Sequence, residues 1–248
     1  MTMIALPAPG AYLLGEYSAP VPFIYQPQPT TYALDLRGPG SYLALTANPA
    51  YNMGENGLSD FTLEAWVKGG AGAYGWVIYH FDPNQAGASA GFGLYITFQG
   101  LIALRLADGV AHTRSTNCTM PQDLFQETWR HIAGVRRTVN GDTQLGLYFD
   151  GVQLRGFPGV HQPFSVASTS LLSLGAPTVD GYRGLVRQVR VWTRALASDE
   201  LAAGLDTSPH DRTGLVGEWL FADGAPTDSS ATANTGQLVG GATIVQQP

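Results

Sequence analysis

The chain is poor in charge, in lysine and in cysteine. Charged residues make up 13% of its 248 residues, about half of the roughly 25% usual for a soluble domain. Lys68 is the only lysine among 13 cationic residues, and the formal net charge is −6. Affinity for nucleic acid comes largely from neutralising phosphate, so a chain with no basic stripe is excluded as a nucleic-acid binder, and anionic membrane is disfavoured for the same reason. Cys118 stands alone, so no disulfide can form within the chain and packing must hold the fold. No apolar run is long enough to span a bilayer. The first residues, MTMIALPAPGAYLLGEY, lack a basic segment and are interrupted by Pro7 and Pro9, which makes a weak signal peptide. A soluble protein is expected, in a compartment the sequence leaves open. His80, His112, His131, His161 and His210 are scattered, with no two close enough to suggest a zinc cluster.

What the chain does have is turns: 31 glycines and 16 prolines, without the period of a fibrous protein. Between them lie short alternating segments. DFTLEAWVK places Phe61, Leu63, Ala65 and Val67 on one face and Thr62, Glu64 and Trp66 on the other. WVIYHF, GFGLYITF and LIALRLA continue the pattern. Asn140-Gly141 is a strong hairpin signal, and Asp150-Gly151 marks the next turn. In all, about a dozen strands are expected. Only Ala195 to Ala203 reads as a helix, with Ser198 as its N-cap, Asp199 and Glu200 in its first turn and Gly204 closing it. The upstream strand, Leu185 to Trp192, turns Val189 and Val191 inward and Arg190 outward or to a rim. The fold class expected is all-β, a sandwich of two antiparallel sheets with one short helix. Residues 1–30 hold six prolines and read as an extended arm, covering the domain's own sheet edge or docking on a neighbour; residues 31–248 form the domain.

Two catalytic patterns fail on context. Gly70 to Gly75 fits G-x-G-x-x-G, but a strand follows where the dinucleotide fingerprint needs a helix, and the stretch reads as a glycine-rich hairpin. Gly87 to Gly91 fits G-x-S-x-G, again followed by a strand instead of the helix of a nucleophile elbow. Glycoside hydrolysis needs two carboxyls across the scissile bond, and no glutamate has an acidic partner at i+2.

Aromatics and loop oxygens remain. YGWVIYHFDPN gathers Tyr74, Trp76, Tyr79, His80, Asp82 and Asn84, with alternation setting Trp76, Ile78 and His80 on one face and Val77, Tyr79 and Phe81 on the other. Sugars stack on such rings while polar groups bond their hydroxyls, although filling the core is the commoner use of each ring. Tyr182 and Arg183, between turn glycines, are expected to be exposed. The candidate ligand-binding residues are therefore Tyr74, Trp76, His80, Asn84, Tyr182 and Arg183. Asp82, Asn84 and Asp180 form a candidate Ca²⁺ set, the ordinary turn role of Asp and Asn being the favoured reading.

In order, ALDLRGPGSYLAL, DFTLEAWVK, WRHIAGVRR, GLYFDGVQL, LSLGA and GYRGLVRQVRVWTRALASDEL resemble the laminin-G-like, or concanavalin A-like, jelly-roll family, which includes the pentraxins. GLVGEWLFADGAPTDSSATANTG is similar to a further stretch of that family. The resemblance covers roughly residues 32–245. It implies a jelly roll that binds carbohydrate or protein through its loops. The E-x-D-x-E strand of the family's glucanases has no match here, and the loop Pro177 to Asp180 lacks the acidic cluster of pentraxin calcium sites. The expected function is a non-catalytic, lectin-like module. The alternatives are a protein-interaction or structural module, with homo-oligomers formed through the arm, and more remotely a glycoside hydrolase or polysaccharide lyase.

Overall fold

The computed structural model describes residues 32–82, 89–110, 113–119, 126–155, 162–205 and 211–247; the proline-rich arm lies outside them. Two antiparallel sheets face each other. The larger contains β1 (Tyr32–Asp35), β3 (Phe61–Lys68), β8 (Arg130–Val139), β9 (Asp142–Phe149), β10 (Val152–Arg155), β12 (Leu185–Trp192), β13 (Leu215–Trp219) and β15 (Thr243–Gln246). Its order is β10-β9-β8-β3-β12-β1-β15, with β13 also pairing β12. The smaller contains β2 (Tyr42–Ala44), β4 (Gly75–Phe81), β5 (Ala90–Ile96), β6 (Leu101–Asp108), β7 (Thr113–Thr119), β11 (Ser173–Gly175) and β14 (Gln237–Val239), in the order β14-β2-β11-β4-β5-β6-β7. Among the described residues there is one α-helix, α1 (Ser198–Ala203). This is the expected jelly-roll sandwich.

The alternation read in β3 is the alternation observed. Phe61, Leu63, Ala65 and Val67 face the core, where Phe61 meets Phe92 of the opposite sheet at 4.8 Å between ring centroids. The Asn140-Gly141 turn joins β8 to β9 with both residues at positive φ, and Asp150-Gly151 does the same for β9 and β10, as two-residue hairpins require. Gly70 to Gly75 departs from expectation. It lies between β3 and β4, which belong to different sheets, so it is part of a crossover and not a hairpin.

The other face of β3 is buried too, and this is where the structure uses its charge. Glu64, Arg190 and Glu218 stand side by side on β3, β12 and β13. Arg190 Nε donates to Glu218 Oε1 at 2.9 Å, and its Nη1 lies 3.7 Å from Glu64 Oε1. Glu64 also accepts from Trp192 Nε1 and shares a 2.9 Å hydrogen bond with His131 Nε2. Burial alone would raise the Glu64 pKa, but its partners hold it below the usual carboxylate range.

Arg190 does point away from the core, as expected, but it reaches neither solvent nor a rim. Its side chain is 2% exposed, and Nη1 donates to the carbonyl of Gly204, where α1 ends. The helix and its approach cover this face with Leu196 and Leu201, packed on Trp192, Tyr148 and Val135. Ala197, not Ser198, occupies the N-cap position, and no side chain caps from there. Glu200 instead reaches back to the Ala197 N–H and takes a 2.6 Å ion pair from Arg194.

Removing one member of a buried ion pair leaves the others uncompensated, at a cost of about 3–5 kcal/mol. Arg190→Ala should therefore lower stability by that amount in urea unfolding. Asp199→Ala, on the exposed first turn of α1, should cost less than about 0.5 kcal/mol; equal losses would contradict this account of the helix.

Candidate functional site

The outward face of the smaller sheet has no helix over it among the described residues, and its character is set at β4. Trp76 pairs with Tyr95, but Ile78 pairs with Leu94, so two steps along β4 match one along β5. Val77 is the extra residue of a β-bulge. It joins the core with Ile78, and the parity of the strand reverses across it. Trp76 therefore shares a face with Tyr79 and Phe81, not with His80. The alternation expected from the sequence is wrong here because period-two reading cannot see an inserted residue.

The bulge assembles an aromatic ledge. Trp76 lies 5.5 Å from Tyr79, 5.0 Å from Phe81 and 4.8 Å from Tyr95, ring centroid to ring centroid. Two glycines make room for it. At Gly93 a Cβ would stand 2.8 Å from the Trp76 ring, and at Gly75, with φ of 125°, it would meet the backbone of Gly181 at 2.5 Å. That second approach lets the segment after β11 bond Trp76 on both sides: the Trp76 N–H donates to the Asp180 carbonyl, and Tyr182 N–H donates to the Trp76 carbonyl.

Polar groups border the ledge. The Arg105 guanidinium lies 5.8 Å from the Phe81 ring centre, and both Arg105 and Asp180 are exposed. The Tyr79 phenol is raised by burial and by Asp82 and Asp180, against the opposing effect of Arg105; burial, Asp180 and Tyr74 raise that of Tyr95. Asp180 thus acts on both tyrosines, and Arg105 on Tyr79. Half-exposed Tyr95, with Tyr74 and Asp180 beside it, gives the arrangement stacking surface and hydroxyl-bonding groups together.

Of the residues anticipated from the sequence, Tyr74, Trp76 and Asp180 belong to this neighbourhood. Tyr182 does not: it is 1% exposed and part of the core, and burial raises its phenol strongly. Its neighbour Arg183 is exposed as expected. Asn84 lies outside the described residues. Asp82 Oδ1 accepts from the Ser168 hydroxyl and from the Thr169 N–H and hydroxyl, so it ties a loop to the end of β4. Asp82 and Asp180 flank opposite ends of β4, roughly 20 Å apart at about 3.3 Å per residue, and do not converge on one ion. Among the described residues no three His, Cys, Asp or Glu side chains are placed to hold a metal ion. Sequence reading missed Tyr95 and Arg105 and left Tyr79, though part of the aromatic stretch, out of the candidate set; the signal available was the pair of glycines, Gly75 and Gly93, which in strands mark bulges and close approaches.

His80 faces the other way. It is 2% exposed, packs 4.8 Å from the Phe92 ring, and neither ring nitrogen has a hydrogen-bond partner. Burial pushes its pKa down to about 4, against the pull of Asp82. It thus sits on the core side of β4, away from the ledge.

Comparison with known proteins agrees with this architecture. Residues 38–202 match a laminin-G family model described as the concanavalin A-like lectin/glucanases superfamily, and the chain belongs to that superfamily. Among solved structures, a candidate carbohydrate binding protein from Bacteroides ovatus aligns with a TM-score of 0.59 at 17% identity, over 89% of this chain and 61% of its own, so this chain spans less than two thirds of that protein. A heptameric SAP-like pentraxin from Limulus polyphemus aligns with a TM-score of 0.59 at 12% identity, over 90% of this chain and 98% of its own. The CBM40 of the Ruminococcus gnavus IT-sialidase aligns with a TM-score of 0.54 at 17% identity, over 72% of this chain and the whole of its own. At these identities the likeness is one of fold. No curated protein sequence matches the chain.

A histidine whose pKa is depressed on folding favours the native state fully above its unfolded value near 6.5 and loses that contribution as pH falls to about 4. The loss is on the order of 3 kcal/mol. His80→Phe, which keeps a ring against Phe92, should remove this part of the acid sensitivity. Urea unfolding at about pH 7 and pH 4.5 tests it: the wild-type protein should lose more stability than the variant between the two, and parallel losses would contradict the assignment.

Proposed function

We propose that the chain is a non-catalytic carbohydrate-binding module whose ligand lies on the outward face of the smaller sheet, across Trp76 and Tyr95. The observation that carries this reading is the ledge itself. A bulge at Val77 and a glycine at position 93 bring Trp76 to Tyr79, Phe81 and Tyr95 on the side of the sheet that faces away from the sandwich core. Asp180 can accept from sugar hydroxyls there, and Arg105 and the tyrosine hydroxyls can donate. The fold is one that hosts such modules, as with the CBM40 and the Bacteroides ovatus protein.

Two features support binding without hydrolysis. Hydrolysis of a glycoside uses two carboxyls about 5–9.5 Å apart around the bond. Glu64 and Glu218, which flank Arg190, are locked by it beneath α1, on the other sheet. Asp82, near the ledge, already holds three donors.

Screening on a broad glycan array should yield binding that Tyr95→Ala reduces by roughly tenfold or more, the scale of losing an aromatic contact. Tyr95 is only half-buried, so the melting temperature should change little. Trp76→Phe, which keeps a ring in place, should weaken binding less. No binding across the array, or binding indifferent to Tyr95→Ala, would overturn the reading.

A further inference from the structure

The arginines divide into two groups. Twelve of the 13 cationic residues are arginine, and the side chains of ten are described. Carboxylates hold Arg37, Arg130, Arg190, Arg194 and Arg212. Carbonyls hold Arg136, an amide holds Arg137, and Arg187 lies 4.2 Å from the centre of the Trp129 ring. In a chain of net charge −6, acids, dipoles and one aromatic ring are thus already spent on eight guanidinium groups. Arg105 and Arg183 are both exposed, and neither has a hydrogen-bond or ion-pair partner among the described residues.

Both lie beside the ledge. Arg105 stands on β6 opposite Gly93 of β5, the residue over which the Trp76 ring lies. Arg183 follows Tyr182, whose N–H bonds the Trp76 carbonyl. Because Tyr182 is turned into the core, Arg183 is turned out. With Tyr42 and Val179 it lines a groove of about 570 Å³ beyond the 176–180 loop. Arg105, one strand beyond β5, and Arg183, two residues beyond the Gly181 bridge to Trp76, stand on opposite sides of the ledge.

A guanidinium presents a rigid fork of donors that fits carboxylate, sulfate or phosphate two bonds at a time. We infer that the ligand is an acidic oligosaccharide, with one carboxylate or sulfate on Arg105 and another on Arg183, and neutral sugar rings stacked between them. This names the ligand class of the site proposed above and rests on that reading. The acids nearby fit the arrangement. Asp180 stands beside Trp76, where it would repel an anion but can accept from a hydroxyl. Asp82 is tied to Ser168 and Thr169, and Asp108 accepts from the Val110 N–H. The ligand's charges therefore belong at the two flanks and its hydroxyls in the middle.

Calorimetry on the full chain separates the possibilities. The probes are an oligogalacturonate and its carboxyl-reduced form, and a heparin-derived oligosaccharide and its desulfated form. At least one acidic probe should bind, its neutral counterpart more weakly. Arg105→Gln and Arg183→Gln should each cost roughly tenfold in affinity, and raising salt from about 50 to 300 mM should weaken binding further. Arg105→Lys should restore only part of the loss, because it keeps the charge but not the fork. Neither arginine bonds other described residues, so both Gln variants should melt with the wild type. A neutral probe binding as tightly as its acidic parent, acidic binding indifferent to both Gln variants, or failure of both acidic probes would each overturn the inference. If neutral glycans still bind in a Tyr95-dependent way, the carbohydrate reading survives that failure; if no glycan binds at all, both fall.

Discussion

One inserted residue decides which side chains the smaller sheet turns outward. Without the bulge at Val77, strict alternation would put Trp76 on the same side as Ile78 and His80, in the core, and leave Tyr79 and Phe81 without it. With the bulge, Val77 and Ile78 both enter the core and Trp76 turns out onto Tyr79, Phe81 and Tyr95. The bulge depends in turn on two places where a side chain cannot be tolerated, Gly75 and Gly93. It is completed by the strand-like segment that bonds Trp76 on both sides through Asp180 and Tyr182. The meeting of Trp76 with Tyr79 and Phe81 follows from that one shift.

The larger sheet supplies the opposite half of the design. Its outward face is covered and contains the protein's densest charge, with Arg190 held between Glu64 and Glu218 and bonded to the end of α1. A buried ion network of this kind costs desolvation and gives little net stability by itself. What it does give is a defined register for β13, β12 and β3 and a fixed seat for the helix, because a shift of any of them would strand a charge. Chemistry-bearing residues are thus spent on scaffold in one sheet, while the other carries on its outward face a buried aromatic cluster whose Tyr95 is partly exposed.

The architecture was largely legible from residue order. The alternation of β3, the Asn140-Gly141 and Asp150-Gly151 hairpins, and the strand running into a short helix each follow from local rules, and each is present. The site was legible only in part. Tyr74, Trp76 and Asp180 were within reach because aromatics and loop acids cluster in the sequence there. The partners of Trp76 were not, because the bulge is decided by pairing with β5 and with the segment around Gly181, which alternation within β4 does not encode. Tyr182 was misplaced for a related reason: its flanking glycines signal a turn, but they also let its ring fold beneath the sheet, where the Tyr182 hydroxyl approaches Gly69 and Gly184. The burial of Arg190 was equally invisible, since it depends on acids 126 residues before it and 28 after it.

The central claim is that ligand lies on Trp76 and not elsewhere on the sandwich. The chain has five tryptophans, so its indole N–H resonances form a small, assignable set. Trp66, Trp192 and Trp219 are buried away from the ledge, and Trp129 is stacked on Arg187. Titration with a glycan identified on the array, followed by nitrogen–proton correlation spectroscopy, should shift the Trp76 indole signal in proportion to occupancy and leave those of Trp66, Trp192 and Trp219 in place. Saturable binding that moves any of those three while Trp76 stays fixed would contradict the account.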